Sequence, residues 1–486
     1  MDIERLALVS LFYFVKNKVM KKHQIHIHRR EILADTLTSV GIYLSLRDKF
    51  PNAVMLESSD YHGVEHTYTY IGIQPIMGFK VQKGVFYADL KEESYQRDVN
   101  AENTVETVEE FLKSFEVVDD PKLSFAYKGL FGYMTYDSVQ LFEDIQLRHD
   151  QNKIPTMMYH LYKHIIAINH INHKLNIITA TIGDEEYNED EISSLIQTIK
   201  KVKQPVYDFK RVGGKVSNFK DEEFVDIVKT GIDHCVSGDV FQVVLSRQFN
   251  QTYKGDDFQV YRALRAVSPS PYLFYFDMGS FRIFGSSPEA QLVIKDDKVS
   301  IYPIAGTFRR TGDDTKDAEL AKKLTEDPKE NAEHAMLVDL ARNDLSRCGT
   351  DVQLEVYKEI QYFSHVIHLV SKITAKLSPE ASRVRMIGDT FPAGTLSGAP
   401  KYRAMELIDE LENTGRCFYG GAIGILDFNG NFNSAIVIRS FLSKDNTLTF
   451  QAGAGVVADS NPNSELQEVE NKLRALNNAI ILAEEI

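Results

Sequence analysis

Residues 160–182, HLYKHIIAINHINHKLNIITATI, constrain the fold most. Two runs rich in β-branched and aromatic residues meet at an Asn/His turn, the pattern of an antiparallel hairpin. Similar runs recur: VFQVVLSRQF (240–249), PYLFYFDM (271–278), FRIFGSS (281–287), a pair turned at 295–298, a pair around the Asn-Gly turn of DFNGN (427–431), and LTFQAGAGVV (448–457). Helical spacing appears at Val105, Val108, Phe111, Leu112 and Phe115, and charged or amphipathic helices are predicted over 185–202 and 219–237, the latter capped by Ser217 or Asn218. Residues 315–343 read as helical with Pro328 interrupting, and a closing helix starts at Ser464. Long strands with few βαβ units predict an α+β chain built on large, mostly antiparallel sheets in a sandwich, with helices packed outside.

The 486 residues carry 55 Lys+Arg against 69 Asp+Glu, a formal charge of −14. An acidic chain repels phosphate backbones, which argues against nucleic-acid binding, and an anionic substrate would need a local metal, Arg or Lys. Cys235, Cys348 and Cys417 form no C-x-x-C pair, so a reducing, cytoplasmic setting is expected. The apolar run at 6–15 is far shorter than the roughly 20 residues of a membrane span and lacks signal-peptide flanks.

Several motifs could carry chemistry. In KENAEH (329–334), Glu330 and Glu333 are three apart; in SELQEVENK (464–472), Glu465, Glu468 and Lys472 share one helix face. Two carboxylate pairs could converge on Mg²⁺, although either pair alone reads more readily as a solvated helix face. PIAGT (303–307), FPAGTLSGAP (391–400), YGGAIG (419–424) and AGAGVV (452–457) read equally as bulges and turns or as backbone that approaches a ligand closely. In SHVIHLVS (364–371), His365 and His368 would face opposite sides of a strand, a poor arrangement for joint metal binding.

These segments, with SPSPYLFYF, SSPEA, KENAEHAMLVDLARNDLSR and AGAGVVADSNPNSELQEVENK, are collinear over 238–472 and resemble the chorismate-utilising enzyme family. MLESSD, TYTYIG and GLFGYMTYDS resemble its N-terminal part more loosely. The resemblance implies an N-terminal region at 24–204 with a tryptophan site and a chorismate-binding catalytic domain at 219–486, with an extension at 1–23 that has no counterpart in it; the Pro, Gly pair and basic residues of 205–218 mark the linker.

The family includes anthranilate, aminodeoxychorismate, and isochorismate or salicylate synthases. Aminodeoxychorismate-forming members typically carry a nucleophilic Lys where Ala305 stands, and water-adding members a basic Lys where Gln242 stands. Both positions point to an ammonia-using member that forms anthranilate as the first step of tryptophan biosynthesis. An aminodeoxychorismate-forming subunit or a non-catalytic tryptophan-binding paralogue remain the alternatives.

By the same resemblance, Glu333 and Glu468 would hold Mg²⁺, with Glu330 and Glu465 in the outer shell. Tyr419 and Arg439 would hold the enolpyruvyl carboxylate, and Gly306, Thr307, Gly453, Ala454 and Gly455 would line the ring. Lys472 would add positive charge, Glu289 would protonate the leaving hydroxyl, and His368 would serve pyruvate elimination. Ser58, Pro271, Tyr272 and Leu273 would form the tryptophan site, where Met55, Thr69 and Leu273 depart softly from the family pattern. No cysteine fits a glutaminase G-x-C-x-G turn, so a separate glutamine amidotransferase subunit is implied, assembled as a heterotetramer and delivering ammonia.

Overall fold

The computed structural model describes residues 20–58, 68–91, 93–119, 123, 126–149, 153–201, 205–362 and 366–486. Most of the expected extension (1–19) and His365 lie outside the described residues.

Two long strands set the architecture. Tyr68–Gln82 and Met157–Asn169 pair antiparallel from Tyr68↔Asn169 to Val81↔Met157, with a register break between Pro75 and Met77. Such a break bends a strand pair, and here the pair passes from one group of partners to another. On one side, Tyr68–Gln82 pairs with Val54–Ser58, which continues through Tyr272–Asp277, Phe281–Ser287, Ser440–Lys444, Thr447–Val456 and Gln242–Gly255. On the other, Met157–Asn169 pairs with Gly129–Met134, which continues through Ala422–Asp427, Phe432–Ile436, Ala290–Lys295, Lys298–Ile301 and Val366–Lys376. Pairing among the described strands is antiparallel except between His23–Leu33 and Phe115–Asp119.

Strand alternation sorts the side chains. Phe274, Phe276, Ile283 and Leu442 join Phe131, Tyr133 and Ile423 in one buried cluster. Tyr275, Phe284, Phe441 and Phe450 join a second, which includes Tyr43, Phe258, Tyr261, Leu473 and Leu476 from the helices Ser39–Leu46, Phe258–Val267 and Pro462–Leu482. Phe258 stacks on Tyr43 and meets Tyr275 edge-on, both at 4.9 Å between ring centroids. Each such buried side chain contributes about 1.5–3 kcal/mol, so burial on both faces is a major cohesive term. The result is the α+β sandwich with outside helices.

Two boundaries differ from the sequence reading. Residues 205–218, expected as a linker, carry the strand Phe209–Ser217, paired with Gln242–Gly255 from Phe209↔Gly255 to Ser217↔Phe249. The strand lies mostly exposed, with only Phe209 fully buried, so its basic, glycine-containing sequence lacks strand alternation. The helix after it is Asp221–Val236, with Lys220 as the N-cap residue, its N–H donating to Glu223 at 2.7 Å. The two expected caps are engaged elsewhere: Ser217 Oγ accepts from Arg247 Nε (2.8 Å) and Asn218 Oδ1 from the Gln248 N–H (2.9 Å). No helix of the described residues is long and apolar enough to cross a membrane.

Candidate active site

The strand Gln242–Gly255 meets Thr447–Val456 with Val244 opposite Gly455 and Ser246 opposite Gly453. Gln242 is 4% exposed, and its amide lies against the Gly455 backbone. A Cβ at Gly455 would come within 2.2 Å of Gln242 Nε2, so a larger residue there would push the Gln242 amide aside. Gln242 Oε1 is buried with no hydrogen-bond partner among the described residues. The neighbouring Ala454 side chain packs into the helix-covered cluster, leaving only its backbone for a ligand.

Gly453 ties two more predicted residues to this place. Its carbonyl accepts from Lys472 Nζ at 2.9 Å, and its backbone hydrogen-bonds the Tyr419 hydroxyl, whose pKa burial drives upward. Lys472 also pairs with Glu468 at 2.7 Å, and the Glu468 charge reaches Tyr419.

Glu289 follows the strand Phe281–Ser287, and its carbonyl accepts from the Ile436 N–H at 3.0 Å. Burial lifts its carboxyl from an ordinary 4.5 to about 7, opposed by a hydrogen bond from Thr395 Oγ1 (3.1 Å) and by the charges of Lys472 and Arg439. Arg439 sits at φ 48° with its carbonyl accepting from the Ser286 N–H (3.1 Å). Burial lowers its pKa while Glu289 supports its charge. Its guanidinium makes no hydrogen bond or ion pair with a described residue. Gln242, Glu289, Tyr419, Arg439, Gly453, Gly455 and Lys472 are thus linked into one region.

A buried ion pair braces it. Arg416 donates to Glu412 (Nη2–Oε1 2.6 Å), to the Leu396 carbonyl (2.6 Å) and to the Val244 carbonyl (2.6 Å), with its guanidinium 4.9 Å from the Tyr136 ring centroid. Glu412 in turn accepts from the Ser246 N–H and hydroxyl. Thr395, Glu412 and Arg416 escaped the sequence reading; the only local signal was opposite charge at i,i+4 in ELENTGR (410–416).

His368 is buried on Val366–Lys376, opposite Thr307 on one side and Gln361 on the other. Gly306 and Thr307 lie on Ile304–Arg309. A small cavity of about 30 Å³ lies among Glu289, Thr395, Pro303 and Leu337. Leu337 is one turn beyond Glu333 on the helix Pro328–Ser346, so that helix borders the Glu289 side of the region.

The four candidate metal ligands occupy two helices, Glu330 and Glu333 on Pro328–Ser346, Glu465 and Glu468 on Pro462–Leu482. Among the described residues no three His, Cys, Asp or Glu side chains gather as a metal-holding group, so the four carboxylates do not form one cluster. The donor chemistry nevertheless fits Mg²⁺, which takes one or two carboxylates and completes its shell with water and substrate oxygens.

The expected tryptophan residues are brought together by backbone pairing: Ser58 lies opposite Tyr272 and Glu57 opposite Leu273, with Pro271 just before. Glu57 and Met55 are buried. Glu57 accepts from Ser39 Oγ (2.6 Å), the Tyr261 hydroxyl (2.5 Å) and Arg265 Nε (3.0 Å), a network the sequence reading missed because its members span over 200 positions. Thr69, opposite Glu57, hydrogen-bonds His170 Nε2 at 2.7 Å. On its other side Tyr272 lies opposite Ser287, whose hydroxyl hydrogen-bonds the Glu289 backbone.

A model of the chorismate-binding enzyme family matches residues 62–478. The chain belongs to that family. This chorismate-binding enzyme is 36% identical over 471 residues to anthranilate synthase component 1 of Aquifex aeolicus, with 94% of each chain covered. It is 34% identical over 475 residues to the Bacillus subtilis protein of the same description, covering 93% of this chain and 91% of the other. Among solved structures, anthranilate synthase component I from Streptococcus pneumoniae superposes with a TM-score of 0.73 at 32% identity, covering 92% of this chain and 99% of that one. The menaquinone-specific isochorismate synthase from Escherichia coli superposes at 0.72 with 17% identity, covering 98% of this chain and 99% of that one, a likeness of fold alone.

Proposed function

We propose that this chorismate-binding enzyme is the synthase subunit of an anthranilate synthase, adding ammonia to chorismate and then eliminating pyruvate. The buried Oε1 of Gln242, without a hydrogen-bond partner among the described residues, carries this reading. An amide oxygen accepts an N–H from ammonia and so orients its lone pair, but it is not basic enough to deprotonate water. In the first step, nitrogen bonds to ring carbon 2 as the ring double bond shifts and the carbon 4–oxygen bond breaks, the hydroxyl leaving as water with the proton of Glu289; the ammonium so formed gives up one proton to solvent, from which Glu289 is reprotonated. Arg439, whose guanidinium has no hydrogen-bond or ion-pair partner among the described residues, would take the enolpyruvyl carboxylate with Tyr419. His368 would then remove the proton from carbon 2 as pyruvate departs, leaving an aromatic ring. Mg²⁺ would be held by Glu333 and Glu468, with Glu330 and Glu465 behind them, and would offset the negative charge of the substrate carboxylate.

The relatives' description as component 1 supports a second component, which we assign as a glutaminase. The ladder Ser58, Tyr272, Ser287, leading to Glu289, supports feedback by L-tryptophan at the Ser58–Tyr272 site. The chain contains no Trp, so the fluorescence of added tryptophan reports its binding directly. We read the compartment as cytoplasmic on the three free cysteines.

The deciding experiment incubates the purified chain with chorismate, Mg²⁺ and ammonium and follows anthranilate fluorescence. Anthranilate is the expected product. Aminodeoxychorismate would move the chain to the alternative synthase, against Ala305, and tryptophan binding without turnover would make it a sensor.

A further inference from the structure

We propose that the surface around Phe241 is the docking site of the ammonia-supplying glutaminase subunit, a reading that rests on the ammonia-using function above. Phe241 and Val236 are the two most exposed large hydrophobic residues described, at 74% and 70%. They flank one turn: Val236 ends the helix Asp221–Val236, and Phe241 precedes the strand that begins at Gln242. The Phe241 N–H donates to the Ala399 carbonyl at 2.7 Å, just before the helix Lys401–Leu411. Single exposed apolar residues are ordinary; the two most exposed, on either side of one turn, make a small patch with an aromatic centre.

The placement of the patch points to its occupant. Side chains alternate across a strand, and Phe241 turns outward where Gln242 turns inward. The residue that would orient ammonia therefore has its backbone in the patch and its amide in the site. A partner seated on Phe241 could release ammonia one strand away from Gln242, without passing it through bulk water.

Charge around the patch describes the partner's face. Asp226, Asp233 and Val236 fall on one stripe of their helix at i, i+7 and i+10. Asp239 hydrogen-bonds His234 at 2.6 Å, and Arg403 is engaged by Glu406 at 2.9 Å within reach of Glu410 and Asp239. Asp226 pairs with Lys229, Glu406 with Arg403 and Glu410 with Arg148, which leaves the exposed Asp233 and Asp239 as the acidic groups beside Val236. The complementary face is an apolar socket with Lys or Arg opposite Asp233 and Asp239, and salt should slow its association.

The test uses the full chain and its purified cognate glutaminase. Phe241→Asp and, separately, Val236→Asp should lower glutamine-dependent anthranilate formation at least tenfold and abolish co-elution. Ammonium-dependent formation should stay within twofold of the parent, and Phe241→Leu should retain most of the glutamine-dependent rate. Unchanged co-elution and glutamine-dependent turnover in both Asp variants would overturn the proposal. So would a change in the chain's own oligomeric state with glutamine use intact, which would assign the patch to a second copy. A parent that makes no anthranilate even with ammonium would instead remove the functional reading beneath it.

Discussion

Glu289 shows how far a residue's chemistry depends on its surroundings. Burial raises its carboxyl to about 7 against the opposing pull of Thr395, Lys472 and Arg439. If it is the acid, only its protonated form works, so the rate at constant free ammonia should fall as pH rises through about 7. Glu289→Gln should lose about 10²–10⁴-fold in kcat and flatten that limb; a parent-like profile in the variant would remove Glu289 from the role. Stability carries the same sign. The unfolded carboxyl loses its proton near 4.5 while the folded one keeps it until about 7, so this residue's contribution is complete at acid pH and declines across that window. Denaturant midpoints of parent and variant across it measure the slope. Glu289 could be singled out as a candidate from its place in SSPEA. The Thr395 hydrogen bond was not, because the partners are separated by 106 positions and nothing local in either segment signals the other.

Elements divide in the same way. The hairpin over 160–182 and the strands beginning at Tyr272 and Phe281 were readable because each alternates or runs apolar between turn residues. Phe209–Ser217 was not, since an exposed strand has little hydrophobic pattern to show. The segment after the helix Lys401–Leu411 was unreadable for the opposite reason: it buries charge. Arg416 and Glu412 satisfy each other there along with the Val244 and Leu396 carbonyls, so removing one leaves the other charged and stranded. Arg416→Ala should cost about 3–5 kcal/mol in chemical denaturation, and turnover should fall because Leu396 and Tyr419 lose their brace. A cost below about 1 kcal/mol would show that the pair is dispensable.

At the scale of the molecule, the expected division at 205–218 does not separate two ladders. Val54–Ser58 pairs with Tyr272–Asp277, Gly129–Met134 with Ala422–Asp427, and Phe209–Ser217 with Gln242–Gly255. Residues 219–486 alone would expose all three partners as bare strand edges, which aggregate. That fragment should be insoluble when produced by itself and recovered when produced together with residues 20–218; a soluble fragment with cooperative unfolding would show that the ladders are separable. Long-range pairing of this kind leaves no mark in either segment, so the sandwich was legible and its cross-connections were not. The doubly bonded strand Phe281–Ser287, held by Tyr272–Asp277 and Ser440–Lys444, also governs how such a gene can diverge. One inserted codon there would reverse inside and outside for every later residue of the strand, pulling Phe284 from under its helices and turning Glu289 away. The same insertion at the exposed tip 171–173 would disturb neither. Inherited changes in length therefore belong at hairpin tips, and descendants that acquire a new nucleophile must do so by exchanging side chains in place.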